Sequence, residues 1–179
     1  FQYTSKLEDI DFSHNNIKSI NVSLFICTPN IQYISFSHNS IEILPPDLLK
    51  QRGKFIVIDL SYNNIQEIPS DFFSNHLELR NITLSHNQIV TLSHVQLKNL
   101  SNLESIDLSS NRIEELYYEV FSNLTSLRYL NLENNKLKTF TLQHTIFTTS
   151  NISVLLLSHN HLTTLAYNIV FSFTALTFL

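Results

Sequence analysis

Apolar residues recur along the chain in a pattern that fits neither a helix nor a strand alone. In NITLSHNQIVTL, residues 81–92, the apolar residues Ile82, Leu84, Ile89 and Leu92 are separated by two, five and three positions. The first spacing is that of a strand, whose alternate side chains point to opposite faces, and it stops where a turn begins. Asn87 stands in the middle of this apolar segment. The pattern predicts a short strand, a turn around an asparagine, and a return of the chain into the same core.

This pattern repeats along the whole sequence. Seven segments begin at residues 7, 31, 55, 79, 103, 127 and 152, and their asparagines are separated by 24 residues except for a last interval of 25. These asparagines are Asn15, Asn39, Asn63, Asn87, Asn111, Asn135 and Asn160. Residues 1–6 fit the end of a preceding repeat, and residues 176–179 fit the start of a truncated one. Such a period predicts stacked coils that cover one another's apolar edges, so we expect one array over residues 1–179.

The repeated asparagine has a structural explanation. A backbone that bends after a strand leaves N–H and C=O groups without sheet partners. An asparagine amide offers two donors and an acceptor to such groups. We expect each one to bond the turn of its own coil and of the next coil, forming a ladder along the stack. The extra residue of the longest repeat lies between Leu137 and Ile152 and predicts a local bulge on the outer side.

The repeat resembles the leucine-rich repeat, L-x-x-L-x-L-x-x-N-x-L. Residues 112–126, RIEELYYEVFSNLTS, are similar to the 24-residue typical animal subfamily, with Leu116, Phe121 and Leu124 at its apolar positions. The resemblance implies an α/β-type leucine-rich-repeat solenoid, a curved right-handed coil. Short parallel β-strands would form its concave face, and mostly loops and turns its convex face. It also implies an ectodomain of the Toll, Toll-like receptor, chaoptin or Slit type. No cysteine-rich cap flanks the repeats, so we expect an internal fragment of a longer ectodomain.

Composition and charge narrow the classes of function. The 179 residues carry a formal net charge of −4, which gives no basic face for nucleic acid or an anionic membrane. No apolar run approaches the length of a membrane span. The single cysteine, Cys27, cannot form an internal disulfide and is interpreted as a small buried residue. The single glycine, Gly53, argues against a fold with many turns of positive φ.

Motifs for catalysis are missing from the sequence. It contains no G-x-S-x-G and no glycine-rich phosphate loop, so we expect no enzymatic activity and no cofactor. His14, His38, His86 and His159 share the position before the asparagine, and neighbouring coils could bring two imidazoles to one ion. No carboxylate or cysteine accompanies them at ligand spacing. They are therefore interpreted as turn residues, and no metal is expected.

The outward positions of the strands form the candidate binding surface, because the resemblance implies that partners bind on the concave face. The candidates are Tyr33, Asp59, Arg80, Asp107, Arg128, Tyr129, Val154, Leu156 and Phe178. Tyrosine and arginine are enriched at binding hot spots, although both also occur on unselective solvated faces. The carboxylates are interpreted first as charge that keeps the strands soluble. The apolar residues indicate either a partner surface or an adjoining coil that this chain lacks.

Five N-x-S/T sequons favour an extracellular or cell-surface location. They are Asn21, Asn81, Asn99, Asn123 and Asn151. A glycan on Asn81 would block the middle of the concave face. We predict a non-enzymatic binding module of an innate-immune Toll-like type. A cell-adhesion or developmental repeat protein is the alternative, followed by an intracellular scaffold. The expected partner is a protein or another macromolecule, including a receptor dimer, with no nucleic acid implied. Membrane contact would occur only through other parts of the parent protein.

Overall fold

The main sheet contains one short strand from each predicted repeat. A computed structural model describes residues 4–50, 53–74, 76–116, 118–121, 124–140, 151–165 and 175–178. Within them, seven parallel strands form one sheet in chain order. These strands are β1 (Asp9–Asp11), β2 (Tyr33–Ser35), β3 (Val57–Asp59), β4 (Asn81–Thr83), β6 (Ser105–Asp107), β8 (Tyr129–Asn131) and β10 (Val154–Leu156). The outward surface of this sheet is called the concave face below.

The strand register follows the repeat period. Ile10 pairs with Ile34, and the central residues of the later strands continue the same column through Leu155. Each central residue is buried, while the residues beside it are mostly more accessible. A one-residue slip would turn the whole column to solvent, so the apolar pattern fixes this register. The predicted fold class, a leucine-rich-repeat solenoid, is confirmed.

In the described residues, the far side of the coils carries short strands, turns and two 3₁₀ helices. The strands β5 (Thr91–Leu92) and β7 (Glu115–Leu116) form one parallel pair, and β9 (Thr139–Phe140) and β11 (Thr164–Leu165) form another. The 3₁₀ helices span Val22–Phe25 and Tyr118–Phe121. No helix in the described part of the chain is both long enough and apolar enough to cross a membrane. The predicted bulge of the longest repeat falls largely on residues 141–150, which lie outside the described residues.

The expectation that a chain with one glycine avoids turns of positive φ is wrong. The residue before each ladder asparagine has a φ of 53–55°, and none of these residues is glycine. They are His14, His38, Tyr62, His86, Ser110, Asn134 and His159. A left-handed conformation costs an L-residue about 1–2 kcal/mol. Here the backbone N–H of the first six of these turn residues donates to the following coil, as from His86 to Ser109 O at 2.9 Å. Hydrogen bonds along the stack therefore hold a conformation that the residue type alone would not select.

Gly53 is required by packing. A Cβ atom at this position would lie 2.3 Å from Cζ of Phe55, far inside van der Waals contact. Phe55 is a ring at a repeat position that Leu7 and Leu79 fill with leucine, and it packs edge-on against His76 at 5.0 Å between ring centroids. Cys27 is half-buried, so its expected full burial is also wrong. It follows the 3₁₀ helix at the edge of the stack, where the coil covers it only in part.

Candidate binding surface

The ladder asparagines join neighbouring coils through their side-chain amides. Nδ2 of Asn87 donates to Leu84 O at 3.1 Å and Ser85 O at 3.2 Å in its own turn, and to Leu60 O at 2.9 Å. Its Oδ1 accepts from Ile65 N at 3.0 Å. Leu60 and Ile65 belong to the preceding coil, whereas we predicted from the sequence that the second partner lies in the next coil. The ladder runs backward because the winding sets each asparagine above the turn of the coil before it.

Burial of the ladder changes along the stack. The asparagines of the central coils are 4–7% exposed: Asn63, Asn87, Asn111 and Asn135. Asn39 and Asn160 are half-buried and make the same inter-coil bonds. Asn15 is exposed and bonds only its own turn, at Phe12 O and Ser13 O. Comparing Asn15 with the other ladder asparagines therefore isolates the effect of the bonds between coils.

The concave-face carboxylates also hold the turns that follow their strands. Oδ1 of Asp59 accepts from the backbone N of Ser61 at 2.9 Å and from its hydroxyl at 2.7 Å. Oδ1 of Asp107 accepts from Ser109 N at 2.9 Å. Short polar side chains commonly make this local bond to the backbone two residues on. Asp59 and Asp107 are thus half-buried turn residues, with their remaining acceptor capacity facing the concave side.

Arginine and glutamate alternate on successive coils at the entrance to the strands. Nη1 of Arg80 lies 3.2 Å from Oε1 of Glu104, and both side chains are about half exposed. Arg128 follows Glu104 in the same column, since its backbone N donates to Glu104 O at 2.8 Å. The Arg128 side chain is exposed and forms no ion pair within the described residues. An exposed pair such as Arg80–Glu104 contributes at most about 1 kcal/mol, so Arg80 is held only weakly, and Arg128 has no such pair within the described residues.

Tyr129 lies beside this cation and has Val154 as its register partner on the next strand. Its hydroxyl accepts from Nδ2 of Asn131 at 3.4 Å. Partial burial, followed by the negative charge of Asp107, raises the pKa of the Tyr129 hydroxyl. The phenol therefore stays protonated at neutral pH. It offers a partner a hydrogen-bond donor on a large apolar ring.

The remaining candidates lie at the two ends of the sheet. Val154 and Leu156 are half-buried on β10, and Phe178, which forms a bridge with Val154, is 61% exposed. Tyr33 lies in the same column as Tyr129, four strand spacings away, or about 19 Å. The structure thus brings Arg128, Tyr129, Val154, Leu156 and Phe178 together as one patch, named here the concave patch, and leaves Tyr33 apart from it.

The histidines before the ladder asparagines stack instead of converging. The rings of His14 and His38 are parallel to within 12°, with centroids 4.2 Å apart. Tyr62 and His86 continue the stack at 4.1 Å and 4.0 Å. Imidazole lone pairs lie in the ring plane, so parallel rings direct them side by side and not toward one ion. No group of three or more metal-binding side chains occurs within the residues the structure describes.

The sequons occupy different environments. Asn81 is exposed on β4 in the middle of the concave face, and Asn99 is exposed in a turn with a φ of 67°. Oδ1 of Asn21 accepts from Ser23 N at 2.8 Å and caps a 3₁₀ helix, which leaves Nδ2 for modification. Nδ2 of Asn151 donates to Thr125 O at 2.9 Å. Asn123 lies outside the described residues.

A second column of inter-coil amide bonds was missed by the sequence analysis. Its members precede the first apolar residue of a repeat and donate from Nδ2 to a backbone carbonyl of the preceding coil. These bonds are Asn30 to Ser5 O at 2.8 Å, Asn102 to Leu77 O at 2.8 Å, and Asn151 to Thr125 O at 2.9 Å. These three asparagines share one repeat position, which could have predicted the column from the sequence. Lysine, glutamate or serine occupies that position in the other coils, so the pattern is hard to recognise.

The sequence matches the family described as Leucine rich repeat over residues 29–89 and 77–137, which together are more than half of the chain. Residues 1–52 match the description BspA type Leucine rich repeat region (6 copies). The chain therefore belongs to the leucine-rich-repeat family. Arrays of this family are binding modules and generally have no catalytic activity.

Two solved structures show the same architecture. The crystal structure of a TLR13–ssRNA13 complex covers 98% of this chain with a TM-score of 0.84 and 28% identity. A leucine-rich-repeat protein of Leptospira interrogans covers 99% with a TM-score of 0.80 and 23% identity, a likeness that shows the fold alone. This chain spans 25% of the first protein and 44% of the second. No curated protein sequence matches it.

Proposed function

We propose that the chain is a non-enzymatic binding module of an extracellular or cell-surface recognition protein of the Toll-like receptor type. Its partner is a protein that docks on the concave patch. The observation that carries this proposal is the patch itself, which sets Arg128, a cation without an ion pair among the described residues, beside Tyr129 and the apolar side chain of Val154. The likeness to TLR13 over nearly the whole chain supports the receptor type.

The chemistry of the patch suits a protein partner. Arginine and tyrosine are the residue types most enriched at the energetic centres of protein interfaces. The strands are joined by backbone hydrogen bonds in one register, so the patch is ordered before a partner arrives. A preformed surface avoids part of the ordering cost of binding. An apolar side chain flanked by a carboxylate on the partner would match Val154 and Phe178 together with Arg128.

Nucleic acid is a weaker candidate, even though the TLR13 structure contains ssRNA13. Asp11, Asp59 and Asp107 lie on alternate strands of the same face, and the chain carries a formal net charge of −4. Phosphate backbones are bound by clustered lysine and arginine, which release counterions. On the concave face Glu104 lies between Arg80 and Arg128, so the two cations are interleaved with a carboxylate and do not form a basic cluster.

The extracellular assignment rests on the sequons, and Asn81 and Asn99 are exposed as glycan acceptors must be. A glycan on Asn81 would stand in the same column as Tyr129, two strand spacings or about 10 Å from it, and would therefore restrict access to the concave patch. A cell-adhesion or developmental protein is the alternative, since the same surface serves either role. An intracellular scaffold is the third option, and it would carry no glycans. A second copy of the receptor is one form the protein partner could take.

The test is secretion of the chain from mammalian cells, followed by glycopeptide mass spectrometry and quantitative capture of cell-surface proteins. We expect glycans on Asn99 and Asn81, and partners that are lost in the double variant Arg128→Ala, Tyr129→Ala. The matched control is Arg112→Ala, Tyr62→Ala, which removes the same two residue types from exposed positions off the patch. Partners lost only from the control would refute the concave patch. Secreted chain without glycans would refute the evidence for an extracellular location.

A further inference from the structure

The coils that begin at residues 31 and 55 separate on the side away from the concave sheet. Residues 43–44 and 67–68 hold the repeat positions that form the pair β5 and β7 in the following coils. In the described structure no strand and no backbone hydrogen bond joins 42–44 to 66–68. Proline follows directly in both coils, at Pro45, Pro46 and Pro69. Proline has no N–H to donate to a ladder, so a second sheet could not continue through these residues, and none is formed between residues 42–44 and 66–68.

A cavity of about 540 Å³ occupies the place of the missing strand pair. Its apolar lining includes Ile43, Pro46 and Pro69, and its polar lining includes Glu42 and Glu67. This volume lies within the range of sites that hold small molecules, so it has ample room for one long side chain of a partner. Ile43 is 76% exposed, the largest exposure among the bulky apolar residues described. We call this cavity the proline groove.

The two carboxylates of the proline groove have no ion-pair partner among the residues that the structure describes. The ion pairs among described residues are Lys50–Asp47, Arg80–Glu104 and Lys136–Glu114, and none includes Glu42 or Glu67. Lys18 holds the position of Glu42 one coil earlier but lies beyond ion-pair distance.

Another coil shows how this repeat position is satisfied when a cation is present. Glu114 occupies the repeat position of Glu42, and its Oε1 lies 3.9 Å from Nζ of Lys136 in the adjoining coil. The position of Lys136 corresponds to Asn64 in the coil after Glu42, so the groove has an amide where a cation could stand. The groove therefore combines an exposed apolar wall with two unpaired negative charges.

We propose that the proline groove binds an arginine side chain of a partner protein. The methylene stem packs on Ile43 and Pro69, since long cationic side chains bury their stems while the charged head stays polar. The planar guanidinium donates to the carboxylates of Glu42 and Glu67, and its fork of five N–H donors suits two acceptors better than a single ammonium does. The proposal goes beyond the concave-face function, because it adds a second partner contact away from the sheet.

The test is an NMR titration of the chain with N-acetyl-arginine N-methylamide, with the amide signals of Ile43 and Glu67 as reporters. Two further arms use the corresponding lysine compound and the citrulline compound, which keeps the shape of arginine without its charge. We expect saturable shifts with the arginine compound, at least about tenfold weaker binding by lysine, and no binding by citrulline. Citrulline binding equal to arginine, or lysine binding that is tighter, would overturn the proposal.

Two double variants separate the groove from general attraction to an acidic protein. The variant Glu42→Gln, Glu67→Gln is expected to weaken arginine binding at least about tenfold. The control Glu114→Gln, Glu115→Gln makes the same charge change at the equivalent positions of another coil and is expected to bind arginine as the unmodified chain does. Equal weakening in both variants would overturn the proposal. The double variant Arg128→Ala, Tyr129→Ala is expected to bind arginine as the unmodified chain does. This measurement therefore separates the groove proposal from the proposed function of the concave patch.

Discussion

Replacing Asn87 with alanine removes an amide that serves two coils. Among the described residues, Oδ1 of Asn87 is the only acceptor for the backbone N–H of Ile65, whose side chain is fully buried. The carbonyls that Nδ2 of Asn87 contacts keep other donors when Asn87 is replaced. Leu60 O still accepts from Asn63, and Leu84 O still accepts from Asn111. One buried N–H is therefore left without a partner, while the carbonyls lose only a shared bond.

The expected cost follows from these bonds. An unsatisfied buried donor costs about 1–3 kcal/mol, and each further lost bond costs about 0.5–1.5 kcal/mol. Because the carbonyls stay partly satisfied, we expect a total of about 2–4 kcal/mol for Asn87→Ala. With a urea slope of about 2 kcal/mol/M, the unfolding midpoint should fall by about 1–2 M.

Asn15→Ala is the matched control for this measurement. Asn15 is exposed and bonds only the carbonyls of its own turn, so we expect a loss below about 1 kcal/mol. Circular dichroism during urea unfolding of the two variants and the unmodified chain provides the comparison. Equal urea midpoints for the two variants would refute the claim that the asparagine ladder stabilises the fold mainly through its bonds between coils.

Three further predictions concern the packing and the turns. Gly53→Ala should destabilise the chain by about 1–3 kcal/mol, because the new Cβ meets the Phe55 ring. In a Phe55→Leu background, Gly53→Ala should cost less in thermal unfolding than it does in the unmodified chain, and an equal cost in both backgrounds would contradict the packing. Partial burial lowers the pKa of His76 in the folded chain. As the pH falls below about 6.5, the unfolded chain therefore takes up the proton first, and the free energy of unfolding should decrease. The variant His76→Gln should lose less unfolding free energy between pH 7 and pH 5 than the unmodified chain. An equal loss would show that other groups cause the pH dependence. Ser110→Gly should be neutral or stabilising by up to about 1 kcal/mol, since Ser110 has a φ of 54°. The control Ser105→Gly in β6 should be destabilising, and the opposite order in urea unfolding would show that the turn is not strained.

The repeat pattern predicted the strands and the inward column because both depend on spacing alone. Ile82 and Leu84 had to share a face once a strand was assumed, and the structure buries both. The turns of positive φ could not be predicted in the same way. His86 has no intrinsic preference strong enough for that conformation, and only its bond to Ser109 O in the adjoining coil explains it.

The candidate surfaces required information that spacing does not contain. Glu42 and Glu114 stand in nearly identical local sequences, IEIL and IEEL, yet only Glu114 has a cation beside it. That difference comes from the adjoining coil, where Lys136 replaces an asparagine. Likewise, Arg80 and Arg128 are equivalent in the sequence pattern, but Glu104 is paired with Arg80 alone. Pairing between coils depends on side-chain placement as well as on repeat position.

Amide hydrogen exchange tests the central claim, that neighbouring coils are held together by the asparagine of the following coil. The N–H groups of Ile41, Ile65, Ile89 and Ile113 each donate to such an asparagine at 3.0 Å. We expect all four to exchange slowly in the unmodified chain, and Asn87→Ala to accelerate Ile65 far more than Ile41 or Ile113. Fast exchange of these amides in the unmodified chain, or uniform acceleration of all four in the variant, would contradict the account.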